Sequence, residues 1–494
     1  MEIRVNSSSS PPKLSTSTGM KKSFLTLALI ALNFGSEGWA KEEDFVRGKV
    51  EVGGTSYPYR LLAPKQVVEG EIYPLVLFLH GVGECGTDNE AQLRHFPERM
   101  LEEAYRERFP CFVLAPQCPL EAWWSDGGRG LASGGALSSE PQPALQAAVL
   151  AMEEVLGSAP IDRDRIYITG LSLGGSGVFD LVARYPTWFA AASATCAGGD
   201  ARSAGRLAGT PFSIWHGDAD TVVDVKCSRE MAEAVRAAGG EVEFHELKGV
   251  GHNAWDTAYE LDGAIAWMFE RRRNPQLALD AALRSFVEEV DDQERIAFFG
   301  DSLTKAGDHP GGYVDQLRSA VKLAKPGVVL ISSGVGGDMI PDLLKRFQKD
   351  IIEQKPTMVF IFVGINDGWY SKRVKSTPPN VFEAGVRRMV REFQESGATV
   401  VLTTPTVNGE KRNGTNRLDE RLDRLAKISR RVAKEEGVVL CDMRQTFIDY
   451  LRVFNPDDLE KGVLTKDGLH FLPAGDQLAA TEAAWSLARA AAER

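Results

Sequence analysis

The feature that most constrains this chain is the segment at residues 166–177, IYITGLSLGGSG, where a strand pattern leads into a Gly-x-Ser-x-Gly sequence. Residues 166–169 are β-branched or aromatic and predict a buried strand. Ser172 follows on a sharp turn before a helix of small residues, and glycines two residues to either side avoid a collision across that turn. Amides at the start of the helix can help to hold an oxyanion. The segment therefore predicts a nucleophilic serine between a strand and a helix.

Strand and helix patterns alternate from residue 41 to residue 272. The apolar segment LVLFL at 75–79 is typical of a strand buried on both faces. Such alternation predicts an α/β domain whose mostly parallel sheet is covered on both faces. Further strands are predicted at 46–52, 57–62, 111–115, 190–195, 211–215 and 241–247, the first two antiparallel, and helices at 91–107, 143–157, 226–238 and 253–270.

A nucleophilic serine needs a histidine as base and an acid that orients the histidine, and in this type of fold they follow the serine in the order acid, histidine. The segment PFSIWHGDAD ends an apolar strand and places Asp220 in the loop beyond it. The segment GVGHNAWD places His252 in the loop after the last predicted strand, just before a helix. These positions predict a triad of Ser172, Asp220 and His252.

Nearby residues of the same types leave alternatives for two of these roles. Asp218 and Asp224 are the alternative acids, although the loop position of Asp220 suits a triad better. His216 precedes a turn glycine and His245 lies within a predicted strand. Both histidines are therefore interpreted as structural.

The oxyanion hole needs a second amide besides that of Leu173. The strand at 75–79 ends in HGVGE, a glycine-containing turn that can present a backbone amide. Either Gly81 or Val82 is predicted to donate it. His80, in the same turn, is interpreted as a residue that stabilises the turn.

Together, the segments PLVLFLHGVGECGTDNEAQL, CFVLAPQCP, RIYITGLSLGGSG, HGDAD and GVGHNAWD resemble the α/β-hydrolase esterases related to polyhydroxybutyrate depolymerases and feruloyl esterases, a phospholipase/carboxylesterase-like group. The resemblance spans nearly all of residues 41–272. It implies an α/β-hydrolase fold, with Ser172 as nucleophile, Asp220 as acid and His252 as base. One departure is Asp224, where the family's loop usually carries proline.

The alternation restarts after residues 273–293, where charge runs flank a helical apolar pattern and predict a helical linker. The sequence beyond predicts a second complete α/β sandwich over 294–494. It is not a repeat of the first, because the Gly-x-Ser-x-Gly pattern does not recur there. Its strands are predicted near 295–299, 327–332, 357–363, 398–403 and 437–441.

Four segments of this second half lie at strand ends or in the terminal loop, where α/β proteins place their sites. RIAFF leads into Ser302, GVGGD contains Gly337 and can bring an amide close, and GIND supplies the side-chain amide of Asn366. Asp467 and His470 are three residues apart, so one loop can supply acid and base. Alone, each segment also fits a helix cap, a turn or a surface residue; in this order they predict a site.

This set of segments resembles the SGNH or GDSL hydrolase family over residues 293–480. The resemblance implies a flavodoxin-like three-layer α/β/α sandwich. The asparagine often found at the start of the family's second block is Ser332 here, which we expect to weaken a structural hydrogen bond rather than the chemistry. The resemblance also implies that Ser302 is the nucleophile, with His470 as its base and Asp467 as the acid partner of His470. It further implies an oxyanion hole formed by the amide of Ser302, the amide of Gly337 and the side chain of Asn366.

The N-terminus has the parts of a secretory signal. Lys21 and Lys22 precede a short apolar run at 24–32, and small residues end at Ala40, where cleavage is expected. The 19 residues before Met20 make a poor signal, so Met20 is the expected start. The run is too short to span a bilayer, and a disordered N-terminal arm is the alternative. The sequence thus predicts a secreted or periplasmic protein.

Composition limits the partners. The net charge of −11 argues against nucleic acid or an anionic membrane as the main partner. Six scattered cysteines are too few for a disulfide framework, although one bridge in the first half is allowed. No cysteine spacing indicates a metal site, and no cofactor is expected.

These observations predict two unrelated serine esterase domains that act through acyl-serine intermediates. By family analogy, the expected substrate is an acylated plant polysaccharide that carries acetyl groups, feruloyl groups or both. Trp123, Trp124 and Trp255 are candidates for stacking on substrate rings, with core packing as the equal alternative. The rival functions are a peptidase or lipase in the first domain, or one domain that serves only to bind polymer.

Overall fold

The computed structural model describes residues 42–126, 136–369, 376–412 and 414–494. The predicted start at Met20, the signal peptide over 1–40 and its cleavage after Ala40 lie outside these residues. Among the helices within the described ranges, none is both long and apolar enough to cross a membrane.

The first half forms one sheet, and its central strands are fully buried because they are continuous apolar runs. Its strands are β1 (Val46–Val52), β2 (Thr55–Leu62), β3 (Tyr73–Leu79), β4 (Phe112–Pro116), β5 (Ile161–Leu171), β6 (Ala191–Thr195), β7 (Phe212–Gly217) and β8 (Val242–Leu247). The order is β1-β2-β4-β3-β5-β6-β7-β8. β2 is antiparallel to β1 and β4, and the remaining pairs are parallel. The predicted α/β fold is confirmed.

Helices pack on both faces of this sheet, in two separate apolar clusters. They are α1 (Phe96–Arg99), α2 (Glu103–Arg108), α3 (Pro143–Ser158), α4 (Leu173–Arg184), α5 (Ala204–Leu207), α6 (Val225–Ala237), α7 (Trp255–Ala258) and α8 (Ala264–Phe269). The prediction of one helix over 91–107 is wrong. His95 has a φ of 66° there, outside the helical region, and Pro97 can only begin the next helix.

The predicted helix over 253–270 is also two helices. Gly263 lies between α7 and α8, and a Cβ there would lie 2.4 Å from the carbonyl oxygen of Ala258. The chain therefore doubles back closely at this point, which only glycine permits. The break ends α7 after Ala258 and separates it from α8.

The second half forms a parallel sheet of β9 (Arg295–Gly300), β10 (Val329–Gly334), β11 (Met358–Phe362), β12 (Thr399–Thr403) and β13 (Val439–Cys441). The strand order is β10-β9-β11-β12-β13, the flavodoxin-like arrangement. This order confirms the predicted second α/β sandwich. Its helices are α10 (Ser302–Gly307), α11 (Tyr313–Ala324), α12 (Ile340–Asp350), α13 (Ile365–Gly368), α14 (Pro379–Glu395), α15 (Asp419–Glu436), α16 (Met443–Phe454) and α17 (Pro473–Ala492).

The segment predicted as a helical linker forms α9 (Pro275–Glu289), which Asn274 caps by accepting a hydrogen bond from the amide of Gln276. Its Ala278, Ala282 and Phe286 side chains are fully buried in one apolar cluster with α17. Helix α9 is therefore packed into the second core rather than extended through solvent.

The two halves contact each other directly. Arg163, near the start of β5, donates a 2.6 Å hydrogen bond to the carbonyl of Val453 in α16. Val453 is buried in the apolar cluster of the first sheet. Arg206 stacks on the ring of Trp485 at 4.4 Å and pairs with Glu482 of the same helix at 3.3 Å. These contacts indicate a packed junction.

The disulfide that the sequence allowed in the first half is not formed. All six cysteines lie in the described residues and none of them forms a disulfide; five of them are buried: Cys111, Cys118, Cys196, Cys227 and Cys441. Burial raises the pKa of the Cys111 thiol to about 12, so it stays protonated. These buried thiols act as small apolar side chains in the core.

Candidate functional sites

Ser172 lies in the turn between β5 and α4 with a φ of 52°, a backbone conformation that few non-glycine residues adopt. The turn is tight because α4 starts directly against the neighbouring strand. A Cβ on Gly174 would lie 1.9 Å from the carbonyl oxygen of Leu79, and one on Gly170 would lie 2.6 Å from the backbone of Gly174. The two glycines of the pattern therefore make this serine conformation sterically accessible.

The three residues predicted for the first triad meet in a hydrogen-bonded line. His252 Nε2 lies 2.9 Å from Ser172 Oγ, and His252 Nδ1 lies 2.6 Å from Asp220 Oδ2. The alternative acids have other partners. Asp218 accepts from the amide of Gly249, and Asp224 caps α6 by accepting from the amide of Lys226.

The carboxylate of Asp220 is fully buried and fully hydrogen-bonded. Its Oδ1 accepts from the amides of Val222 at 2.8 Å and Val223 at 3.0 Å, while Oδ2 faces both His252 and His216. Burial raises its pKa, but the hydrogen bonds from His252 and the two amides outweigh burial and lower the pKa below its ordinary value. Asp220 is therefore ionised, as a partner of an imidazole must be.

The turn that was predicted to supply an oxyanion amide lies against the serine. A Cβ on Gly81 would lie 3.6 Å from the Cβ of Ser172, and Val82 follows in the same turn. His80 holds this turn: its Nε2 accepts from the amide of Cys118 at 2.9 Å, so its Nδ1 donates to the carbonyl of Gly81 at 2.7 Å. Burial lowers the pKa of His80 to about 4, which keeps the ring neutral. Leu173 begins α4 beside Ser172.

The three predicted stacking tryptophans differ in position. Trp124 is fully buried and donates to the carbonyl of His80 at 3.0 Å, so its assignment to substrate binding is wrong and core packing applies. Trp123 is half-buried against the same core. Trp255 lies edge-on to His252, with ring centroids 5.2 Å apart, and is the tryptophan that borders the first site.

The second predicted triad also forms a hydrogen-bonded line. His470 Nε2 lies 3.2 Å from Ser302 Oγ, and His470 Nδ1 lies 2.8 Å from Asp467 Oδ2. The other oxygen of Asp467 accepts from the amides of His470 and Leu469. Burial raises the pKa of Asp467, but the hydrogen bonds from the His470 side chain and from these two amides outweigh it and lower the pKa to about 2.

The other predicted members of the second site surround Ser302, the first residue of α10. Gly337 has a φ of 85°, and a Cβ on the preceding Gly336 would lie 3.9 Å from the Cβ of Ser302. Asn366 donates from its side-chain amide to the carbonyl of Asp338 at 3.1 Å. This bond fixes the asparagine against the turn that carries Gly337.

Sequence reasoning missed Arg346, in α12, whose side chain holds together two backbone segments of the second site. Its guanidinium donates to the carbonyl of Gly300 at 2.8 Å and to Asp338 at 2.7 Å. It therefore joins the strand end before Ser302 to the turn of Gly337. An arginine in the middle of a helix gives no local signal of this role.

Sequence reasoning also missed Trp369, which is 37% exposed and lies one helical turn beyond Asn366. Its amide donates to the carbonyl of Asn366 at 3.0 Å, and the guanidinium of Arg417 lies 4.8 Å from its ring. Its place three residues after Asn366 is its only sequence signal.

One group in the described residues has the side chains of a metal site: Cys196, His216 and Asp220, whose ligand atoms lie within 4.8 Å of one another. Two of these side chains already bind each other, because His216 Nε2 lies 3.1 Å from Asp220 Oδ2. Asp220 also holds His252. We therefore interpret the group as support for the first triad.

Comparison with known proteins finds a hydrolase family in each half of the chain. Residues 298–478 match the GDSL-like Lipase/Acylhydrolase family, and residues 145–261 match the Phospholipase/Carboxylesterase family. The chain thus contains a region similar to the Phospholipase/Carboxylesterase family in its first half and a region similar to the GDSL-like Lipase/Acylhydrolase family in its second half. The protein is a carboxylic ester hydrolase with two hydrolase domains.

The chain is similar to an acetylxylan esterase of Geobacillus stearothermophilus, with 26% identity over 206 residues that span 38% of this chain and 90% of the relative. An arylesterase of Vibrio mimicus is 27% identical over 111 residues, 22% of this chain and 53% of that protein.

Among solved structures, a thermostable esterase is 36% identical, with a TM-score of 0.44, and the match covers 47% of this chain and 64% of that chain. An acetyl xylan esterase, AlAXEase, is 31% identical with a TM-score of 0.38, and the match covers 38% of this chain and 97% of that chain.

Proposed function

We propose that this protein is an exported esterase with two serine active sites, which removes acetyl and feruloyl groups from plant polysaccharides. The observation that carries the proposal is the pair of separate hydrogen-bonded lines, Ser172–His252–Asp220 and Ser302–His470–Asp467. Each line has a hydroxyl, a base within hydrogen-bonding reach and an acid that fixes the base.

In the first site, His252 takes the proton of Ser172 as Oγ attacks the ester carbonyl. Asp220 stabilises the imidazolium that forms. The amide of Leu173 and an amide from the turn at Gly81 and Val82 hold the negative oxygen of the tetrahedral intermediate. His252 then protonates the leaving alcohol, and water releases the acyl group from the serine by the same steps in reverse.

The second site carries out the same acyl transfer with different donors. His470 activates Ser302, and Asp467 keeps the histidine in the correct tautomer. The amides of Ser302 and Gly337, with the side-chain amide of Asn366, hold the oxyanion. The bond from Asn366 to the turn of Gly337 places these donors before the substrate arrives, so they need no reorganisation during the reaction.

Three observations support a polysaccharide ester as substrate. The chain is similar to an acetylxylan esterase. The ring of Trp255 borders the first site, where a sugar or feruloyl group can stack on it. The exposed Trp369 follows Asn366 of the second site by three residues, and we propose the same role for it. The packed junction between the domains keeps both sites on one body, which raises the local concentration of the second site at a bound polymer.

The test is a comparison of Ser172→Ala, Ser302→Ala and the double variant on nitrophenyl acetate, acetylated xylan and feruloyl esters. We expect each single variant to retain a different part of the wild-type activity and the double variant to retain none. Fluorophosphonate followed by peptide mass spectrometry is expected to label both serines. Labelling of one serine alone would assign the other domain to polymer binding instead, and full activity of the double variant would refute the proposal.

Export and substrate have separate tests. Mass spectrometry of the protein from the culture fluid or periplasm is expected to find Lys41 as the first residue. Hydrolysis of peptides or long-chain triglycerides in preference to acetylated xylan would replace the proposed substrate with that of a peptidase or lipase.

A further inference from the structure

We propose that Glu410 is the positioning residue of the second active site, which holds the loop of Asp467 and His470 at the correct distance from Ser302. The inference rests on the proposed function of that site. Glu410 lies between β12 and α15 and is fully buried. A buried carboxylate is costly unless hydrogen bonds satisfy it, so its partners show which contact it serves.

All the side-chain partners of Glu410 lie just before the catalytic loop. Its Oε2 accepts from the amide of Val463 at 2.8 Å, and its Oε1 accepts from the amide of Leu464 at 2.8 Å. The amide and hydroxyl of Thr465 also donate to Oε1, the hydroxyl at 2.7 Å. One carboxylate therefore fixes three consecutive residues, through charge-assisted bonds that are stronger than neutral ones.

These residues form the base of the loop that carries the catalytic pair. Thr465 pairs with Phe471 in an antiparallel bridge, and the amide of Lys466 donates to the carbonyl of His470 at 2.9 Å. A second contact reaches the tip of the loop, where the amide of Gly409 donates to the carbonyl of Gly468 at 2.7 Å. The segment at 409–410 thus holds both the base and the tip.

Glu410 itself is fixed to the helical scaffold. Asn455, which is fully buried at the end of α16, donates from its side chain to the carbonyl of Glu410 at 2.8 Å. The amide of Glu410 donates to the carbonyl of Glu460 at 3.0 Å. The loop with His470 is thus linked to the end of a helix, and the carboxylate of Glu410 is the part of this link that fixes the base of the loop.

The test uses Glu410→Gln in the Ser172→Ala background, where the second site is the remaining esterase. The new NH₂ group must face an N–H donor, so the base of the loop moves. We expect kcat to fall about 10- to 100-fold, because a shift near 1 Å in a catalytic group costs roughly that factor, while KM changes less than about twofold. Hydrogen exchange is expected to accelerate in the peptide at 463–471.

The matched control is Glu294→Gln. Glu294 is a buried glutamate directly before β9, at the end of that strand opposite to Ser302, and it accepts from Thr357 and pairs with Arg494. It is expected to leave kcat and the exchange at 463–471 unchanged. A second variant, Thr465→Val, removes a single hydroxyl from the hydrogen bonds of Glu410 and tests the inference if Glu410→Gln does not fold. We expect a several-fold fall in kcat and faster hydrogen exchange at 463–471.

Unchanged exchange and kcat in both Glu410→Gln and Thr465→Val would overturn the inference, as would equal losses in Glu294→Gln. A Ser172→Ala parent without esterase activity would refute the proposed function of the second site instead. In that case the exchange at 463–471 still decides whether Glu410 positions the loop.

Discussion

His216 donates its Nε2 hydrogen to Oδ2 of Asp220 across 3.1 Å. The same nitrogen faces the carbonyl oxygen of Val223 at 3.0 Å, so it must carry a hydrogen. Nδ1 lies 2.7 Å from the hydroxyl oxygen of Ser228, which itself donates to the carbonyl of Ala197. Burial lowers the pKa of His216 below its ordinary value, against the hydrogen bonds to Val223 and Asp220, which raise it. Asp220 therefore binds two imidazoles through one oxygen: His252 in the reaction, and His216 as its fixed support.

His216→Phe removes that support and leaves the volume of the ring. Loss of a hydrogen bond to a buried carboxylate costs about 1.5–3 kcal/mol, so we expect kcat of the first site to fall about tenfold or more while KM changes little. The assay uses the Ser302→Ala background. His245→Phe is the matched control, because His245 stacks on Trp215 at 3.8 Å and contacts no triad member. Equal kcat values for the two variants would remove His216 from the site.

Gly174→Ala tests the steric requirement of the turn at Ser172. The added Cβ would lie 1.9 Å from the carbonyl oxygen of Leu79, a backbone atom of the central strand that cannot move away. We expect a loss of about 3 kcal/mol in stability, measured by thermal unfolding, and no labelling of Ser172 by fluorophosphonate. Gly157→Ala in α3 meets nothing within 4 Å and is expected to keep or slightly raise stability.

The sequence predicted the two α/β folds and singled out both sets of triad residues, and the structure brings each set together. The folds and the positions of these residues could be predicted because they depend on local signals: an apolar strand, a turn with glycine and a polar residue directly after it. The order of the segments then placed Ser302 and His470 at the same edge of the sheet, because parallel strands end together.

The residues that sequence reasoning missed act through contacts between distant parts of the chain. Glu410 and Thr465 are 55 residues apart, and Arg346 and Gly300 are 46 apart. Nothing in the local pattern around Glu410 or Arg346 distinguishes it from a surface charge. The prediction that Trp124 binds substrate was wrong for the same reason. Its burial depends on its contact with the turn at His80, and the local sequence around Trp124 does not indicate that contact.

Asp467→Asn tests the acid of the second site. The amide would place an N–H opposite His470 Nδ1 and favour the wrong tautomer, so we expect kcat to fall by roughly 10²- to 10⁴-fold in the Ser172→Ala background. The side chain is 48% exposed, so stability is expected to change little. Asp280→Asn, on the exposed face of α9, is the control. Activity within about twofold of the parent would exclude Asp467 as the partner of His470.

Asp301, directly before Ser302, links pH to stability. Burial raises the pKa of Asp301 from an ordinary 3.8 to about 7. The hydrogen bond from the amide of Leu303 and the charge of Arg346 lower this pKa, while the nearby Asp367 and Asp338 raise it. Between these values the folded state holds a proton that the unfolded chain has lost, so stability falls as pH rises, by at most about 1.4 kcal/mol per pH unit.

Asp301→Asn keeps an acceptor for the amide of Leu303, at 2.9 Å in the wild type, and removes the titration. We therefore expect the unfolding free energy of the variant, relative to wild type, to rise by about 2 kcal/mol from pH 5 to pH 7. Denaturant titrations at several pH values measure the difference, with Asp280→Asn as an exposed control that shows no trend. A difference that stays constant with pH would show that Asp301 is already ionised in the folded protein at the lower value.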